Sequence, residues 1–116
     1  MLKNKTKNKV LAKQVISFKT FFQIGTGLTF KTKRYCKNKA FLFHLNEKRK
    51  YVITMLFVFF ALDIIFLDRN MKVIEIKNNL KPFSHYKPKN KFAYMIEMLH
   101  NKKKNVNLGD LLEMQT

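Results

Sequence analysis

Residues 52–67 read VITMLFVFFALDIIFL, and the reading of these sixteen residues decides the fold. As a helix the run would be about 24 Å long, against about 30 Å of bilayer hydrocarbon. It contains Asp63, whose carboxylate is costly in lipid. Its residues are largely β-branched and aromatic, which suits buried strands better than a helix. The stretch is therefore expected to form two strands, residues 51–56 and 62–67, with a bend between Phe57 and Ala61. It is not expected to form a transmembrane segment.

Working outward, Asp68-Arg69-Asn70 reads as a hairpin turn into a strand over residues 71–76. Ile74 and Ile76 are expected on one face of that strand, with Val73, Glu75 and Lys77 on the other. Residues 78–90 read as irregular, because Pro82 and Pro88 each push the preceding Lys toward an extended backbone. Residues 92–99 alternate Ala93, Met95 and Glu97 against Tyr94, Ile96 and Met98, as a strand does. A polar, basic segment over 101–107 follows. Leu108-Gly109-Asp110 then turns into a last strand, 111–114.

Upstream, residues 40–44 form a short strand between a basic loop, 31–39, and a charged turn, 46–50. Residues 10–16 read as the first strand. Ser17 is placed as a helix cap, and residues 18–24 as a short amphipathic helix presenting Phe18, Phe21 and Phe22. Gly25 and Gly27 would end that helix. The sum is a strand-dominated α+β domain with one or two short helices: a single curled sheet or a small open β-barrel. Residues 1–8 read as a disordered basic tail and 9–116 as one domain.

The composition sets the outer limits. With 116 residues the chain has room for one core, and 47% hydrophobic content with 12 Phe supplies it. A single Cys excludes an intrachain disulfide and a multi-thiolate metal site. Behind the lysine-rich start, residues 10–16 are broken by Lys13 and Gln14, so no apolar signal segment is read and a cytoplasmic location is expected.

The formal net charge is +17, and only 3 of the 24 basic residues are Arg. Arg is preferred for bidentate phosphate and base recognition, so the charge has a compositional reading. Lys, Asn, Ile and Phe together are what an A/T-rich coding sequence favours. The alternative is a basic face for weak, salt-sensitive polyanion binding through Lys31, Lys33, Arg34, Lys37, Lys102, Lys103 and Lys104.

Asp63 is the sharpest candidate for chemistry. A carboxylate inside an apolar run must be hydrogen-bonded, paired or shifted in pKa. It is either a ligand or acid/base group lining a cleft, or a structural group that accepts backbone N–H bonds at the strand bend or pairs with a nearby Lys. Asp68 is a turn residue. His44, His85 and His100 make no metal-binding spacing with each other or with Cys36, so no metal is expected. Lysines near Cys36 can lower a thiol pKa, but no paired base accompanies it. Gly25-Thr26-Gly27 lacks the glycine spacing of a dinucleotide loop, and no cofactor is expected. Phe57, Phe59, Phe60 and Phe66 read as core, leaving Phe83 and Tyr86 as the better exposed aromatics.

One ordered succession of motifs carries a resemblance. Gly27-Leu28-Thr29-Phe30, Phe41-Leu42-Phe43, the run MLFVFFALDIIFLD over 55–68, Val73-Ile74-Glu75, Lys81-Pro82-Phe83, Tyr86, Tyr94-Met95-Ile96-Glu97 and Gly109-Asp110 follow one another. In that order they resemble the domain of unknown function 192 family over nearly the whole chain. The resemblance implies a small strand-rich domain, bacterial or archaeal, of no established activity. The chain departs from the pattern at Thr29, Ala61 and Thr54. At Thr54 a bulky polar or aromatic group is missing from an expected pocket wall. Asn101 stands where the family has Gly, in a turn that asks for a left-handed backbone.

Three functions follow as expectations. The first is a binding or accessory domain that holds a small ligand or protein partner in a cleft near Thr54, Met55, Asp63, Lys81 and Glu97. The second is a basic nucleic-acid-associated protein. The third is a small hydrolase-like enzyme, for which the chain offers no recognisable triad, metal cluster or cofactor loop.

Overall fold

The computed structural model describes residues 1–18, 31–103 and 105–115. Among these, ten strands and one short helix form: β1 (Leu2–Asn4), β2 (Lys9–Ala12), β3 (Gln14–Phe18), α1 (Lys33–Cys36), β4 (Lys39–His44), β5 (Ile53–Thr54), β6 (Leu62–Leu67), β7 (Val73–Leu80), β8 (His85–Tyr86), β9 (Tyr94–Leu99) and β10 (Leu112–Met114). The strand-dominated α+β class holds. The strands divide among a five-stranded sheet ordered β3-β4-β9-β6-β7, a three-stranded sheet β10-β1-β2 and a two-stranded sheet β5-β8.

The five-stranded sheet is covered on both faces. One face packs Phe41, Phe43, Leu62, Ile64, Phe66 and Met95 against Met55, Val58, Phe60 and Phe92. The other packs Leu42, Ile65, Leu67 and Ile96 against Leu2, Ala12 and Leu112 of the three-stranded sheet. A strand buried on both sides has no polar face to show, which is why β4 and β6 are nearly continuous apolar runs. β9 lies at the centre, antiparallel to β4 and to β6. β3 runs parallel to β4.

Several expectations are corrected. Residues 1–8 are not a frayed tail: β1 is the middle strand of its sheet, and Leu2 and Asn4 are fully buried. The charge of the lysines hid the alternation of Leu2 and Asn4, one apolar anchor and one polar side chain with a buried partner. The expected strand over 10–16 is two strands, β2 and β3, which pair in different sheets on either side of Lys13. Phe18 ends β3, where its ring stacks near Phe43 at 4.9 Å, so the helix placed there does not begin at Ser17. The rest of that helix and its glycines lie outside the described residues. The basic loop at 31–39 contains α1, capped by Thr32 Oγ1, which accepts the Tyr35 N–H at 3.0 Å.

The strand over 51–56 shrinks to β5, which among the described residues pairs with β8 alone, because the chain turns at Met55 with Val58 N–H donating to Met55 O at 3.0 Å. β7 runs to Leu80, into the segment read as irregular. It carries register shifts opposite β6 at two places. At the first, Leu67 faces Val73 while Phe66 faces Glu75, so Ile74 is the extra residue. A bulge reverses the alternation. Val73 and Ile76 therefore join one core face and Ile74 the other, against the expected pairing of Ile74 with Ile76.

Candidate functional site

Asp63 sits on β6 at the second register shift. Leu62 faces Leu80 and Ile64 faces Lys77, so β7 has one residue too many, and Asn79 takes a left-handed backbone with φ 56°. An extra residue leaves a backbone N–H without a ladder partner. Asp63 supplies one: its Oδ1 accepts the Asn79 N–H at 2.8 Å. The same oxygen lies 2.8 Å from His100 Nδ1, and Oδ2 accepts the Asn101 N–H at 2.9 Å. The carboxylate thus joins the β7 bulge to the end of β9. Asn101 does not take the left-handed backbone expected of it, and its N–H is spent on Asp63.

The same aspartate lines a half-open cavity of about 110 Å³. Its walls include Leu11, Ile65, Ile76 and Met98, and its polar groups come from Asn38, Asn78, Asn101, Asn105, Lys39 and Lys103. A carboxylate has about four acceptor positions, and three are used. Oδ2 carries one hydrogen bond and keeps a lone pair for a further donor. Lys39 Nζ is engaged elsewhere, donating to Tyr35 O at 2.6 Å and lying 3.9 Å from the Tyr35 ring centre. Lys103 is exposed at the rim.

The other residues expected around the cleft are not brought to Asp63. Strand side chains alternate between faces. Glu97 pairs with Ile64 and Phe41, and points with them to the face opposite Asp63. Met55 is fully buried on that opposite face. Thr54 and Lys81 are exposed and lie near Met55, since Met55 N–H donates to Ser84 O at 2.8 Å and Phe83 N–H donates to Met55 O at 3.1 Å. Thr54 Oγ1 accepts the Leu56 N–H at 3.2 Å.

Glu97 is a buried carboxyl in apolar surroundings, and burial pushes its pKa up to about 7. Cys36 packs into the same cluster, and burial raises its thiol to about 11 despite Lys39 nearby. Desolvation thus outweighs the lowering by Lys39 and Lys31. Among the described residues no three His, Cys, Asp or Glu side chains gather as a metal site.

Lys31, Lys33, Arg34 and Lys37 are exposed on and around α1, and Lys33, Arg34 and Lys37 line a shallow depression with Leu99. Leu99 also lines the Asp63 cavity, so the two hollows adjoin. Lys102 and Lys103 are exposed, and Lys104 lies outside the described residues.

Sequence reasoning missed the partners. His100, singled out in the sequence only for lacking a metal-binding spacing, holds Asp63. Glu75 is a buried hub: its carboxylate accepts from Tyr86 OH, from the Lys89 and Asn90 backbone N–H groups at 3.0 Å and from Asn90 Nδ2 at 2.9 Å. Burial works against its charge, but these donors more than offset it and hold its pKa below the ordinary value. Burial and the bond to Glu75 push Tyr86 up to about 12. Near Leu112, Gly109 takes φ 89°, a conformation glycine alone adopts at little cost, and this turn sets Asp110 against Asn4.

These particulars fit a known sequence pattern. The pattern defining the domain of unknown function 192 family, described as "Uncharacterized ACR", matches residues 2–114. A UPF0127 protein of Pyrococcus horikoshii is 30% identical over 118 residues, covering all of both chains. A UPF0127 protein of Pyrococcus furiosus is 31% identical over 112 residues, 95% of this chain and 94% of its own. The crystal structure of a protein of unknown function from Novosphingobium aromaticivorans superposes with a TM-score of 0.83 at 19% identity, covering 97% of this chain and 82% of that one. That likeness concerns the fold. With a match that runs from β1 to β10, the chain belongs to the domain of unknown function 192 family.

Proposed function

We propose that the chain is a binding domain for a small, hydroxyl-bearing anion, held in the cavity floored by Asp63. The observation that carries this reading is the polar lining of the hollow: Asp63 Oδ2 with an unused lone pair, the residues Asn38, Asn78, Asn101 and Asn105, and Lys103 at the rim. Amide side chains donate and accept without charge, which suits hydroxyls, and an ammonium suits a carboxylate or phosphate. The basic groups on α1 beside the cavity favour an anion further. Among the described residues the site offers no nucleophile with a paired base, which favours binding over hydrolysis.

The test is a titration of isotope-labelled protein with glycerol phosphate, inorganic phosphate and a short hydroxy acid, followed by amide NMR. Shifts should cluster at Asn78, Asn101, Lys103 and Val106 and disappear in Asn78→Ala. Glycerol phosphate should outbind phosphate. Asp63→Asn should weaken binding and also cost about 1–3 kcal/mol of stability, because an amide cannot accept from three donors. No shifts at millimolar ligand, or shifts spread evenly over the lysines, would refute the reading.

A second reading is weak polyanion binding by Lys31, Lys33, Arg34, Lys37, Lys102, Lys103 and Lys104, favoured by the clustering of three of them in one depression. It predicts RNA affinity that falls linearly with the logarithm of salt concentration, with a slope of magnitude about 0.7 per phosphate neutralised on a single strand. Lys33→Ala with Arg34→Ala should flatten that slope. An unchanged slope would leave the charge as composition.

A further inference from the structure

The cavity does not account for a patch on the other side of the molecule. Leu56, Phe59 and Phe83 are 54%, 59% and 55% exposed, and Phe57 is 42% exposed. They stand on two loops tied together through Met55. The Phe83 ring meets Phe59 edge-on at 5.3 Å and Phe57 at 6.2 Å. Both Phe57 and Phe83 are in the left-handed backbone region, with φ 57° and 60°. For bulky residues that conformation costs free energy and points to function. Val52, at the entry to β5, is 60% exposed.

Charge identifies the occupant. The stretches of chain that carry these loops, residues 48–62 and 76–96, contain no Asp or Glu and hold Lys48, Arg49, Lys50, Lys77, Lys81, Lys87, Lys89 and Lys91, with Lys81 in the loop of Phe83 itself. Aromatic and aliphatic tips within a wholly basic segment are complementary to an anionic bilayer: the rings enter the acyl boundary while lysines reach headgroups. Nucleic acid fits less well. Leu56 and Val52 cannot stack on bases, and the Phe59–Phe83 pair is edge-on instead of presenting parallel faces.

We infer that the tip formed by Leu56, Phe57, Phe59 and Phe83, with Lys81 beside it, docks the protein peripherally on anionic lipid surfaces. No helix among the described residues is long and apolar enough to span a membrane.

Co-sedimentation of the full chain with vesicles tests this. Vesicles of phosphatidylcholine with phosphatidylserine should retain it, and pure phosphatidylcholine vesicles should not. Phe59→Ser with Phe83→Asn should lower the partition coefficient about tenfold or more. Asn accepts the left-handed backbone, so the fold should be kept, checked by an unchanged thermal melt. Asn78→Ala should bind vesicles as the parent does, which separates this surface from the cavity. Equal retention of parent and double variant would overturn the proposal, because lysine charge alone would then suffice. So would a dimer lost in the same variant, or single-stranded RNA affinity lost with it.

Discussion

Deleting residues 1–8 should unfold the domain. β1 holds the centre of its sheet, between β10 and β2. Leu2 is fully buried against Ala12, Ile65, Leu67 and Leu112, and loss of such a side chain costs about 2–5 kcal/mol. Asn4 Nδ2 donates to Asp110 Oδ2 at 2.8 Å and to Asn105 O at 2.8 Å, so its removal leaves a buried carboxylate short of a donor, at about 1–3 kcal/mol more. The loss rivals the whole stability of a small domain, about 5–15 kcal/mol. Circular dichroism of the truncated chain should show no cooperative melt. A folded truncation with an unchanged midpoint would refute the account.

The milder Asn4→Ala isolates the polar part. Burial disfavours charge on Asp110, but Asn4, the Asn107 N–H and Lys7 more than compensate and hold its pKa below the ordinary value. A depressed carboxylate contributes stability above its unfolded pKa and loses it as pH falls through the folded one. Asn4→Ala should therefore shrink the acid-induced loss of stability. An acid limb identical to the parent's would count against it.

Legibility in the sequence followed the physics of each element. β6 was readable to the residue, since a strand buried on both faces leaves a continuous apolar run bounded by the Asp68 turn. The alternation of β9 was readable too, because β9 has regular neighbours on both sides. β1 was not, because its signal is two buried residues among lysines. The Asp63 site was half legible. A carboxylate in an apolar run announces that it needs donors, but the donors come from a bulge 16 residues away and a strand end 37 and 38 residues away. The bulge leaves no fixed pattern in a single chain, and neither does the register of β9 against β6, which sets His100 beside Asp63 and Glu97 on the opposite face.

Glu97→Gln should change the pH dependence of stability most. Glu97 lies in the middle of β9 between Phe41 and Ile64, and burial, with no offsetting bond or cation among the described residues, raises its pKa from 4.5 to about 7. The sign follows from proton counting. Between pH 4.5 and about 7 the folded chain holds a proton here that the unfolded chain has released. Stability must therefore fall as pH rises through that window and level off above it, by on the order of 3 kcal/mol. Glutamine has the same shape and no charge to desolvate. The variant should lose this descending limb and exceed the parent at pH 8, while at pH 4 the two should nearly coincide. Urea midpoints at half-unit pH steps would show it, read as the difference between the two proteins so that Asp110 and Glu75 cancel. Parallel profiles would mean that Glu97 is ionised and solvated in the folded chain, and the apolar packing drawn around Phe41 and Cys36 would then be wrong.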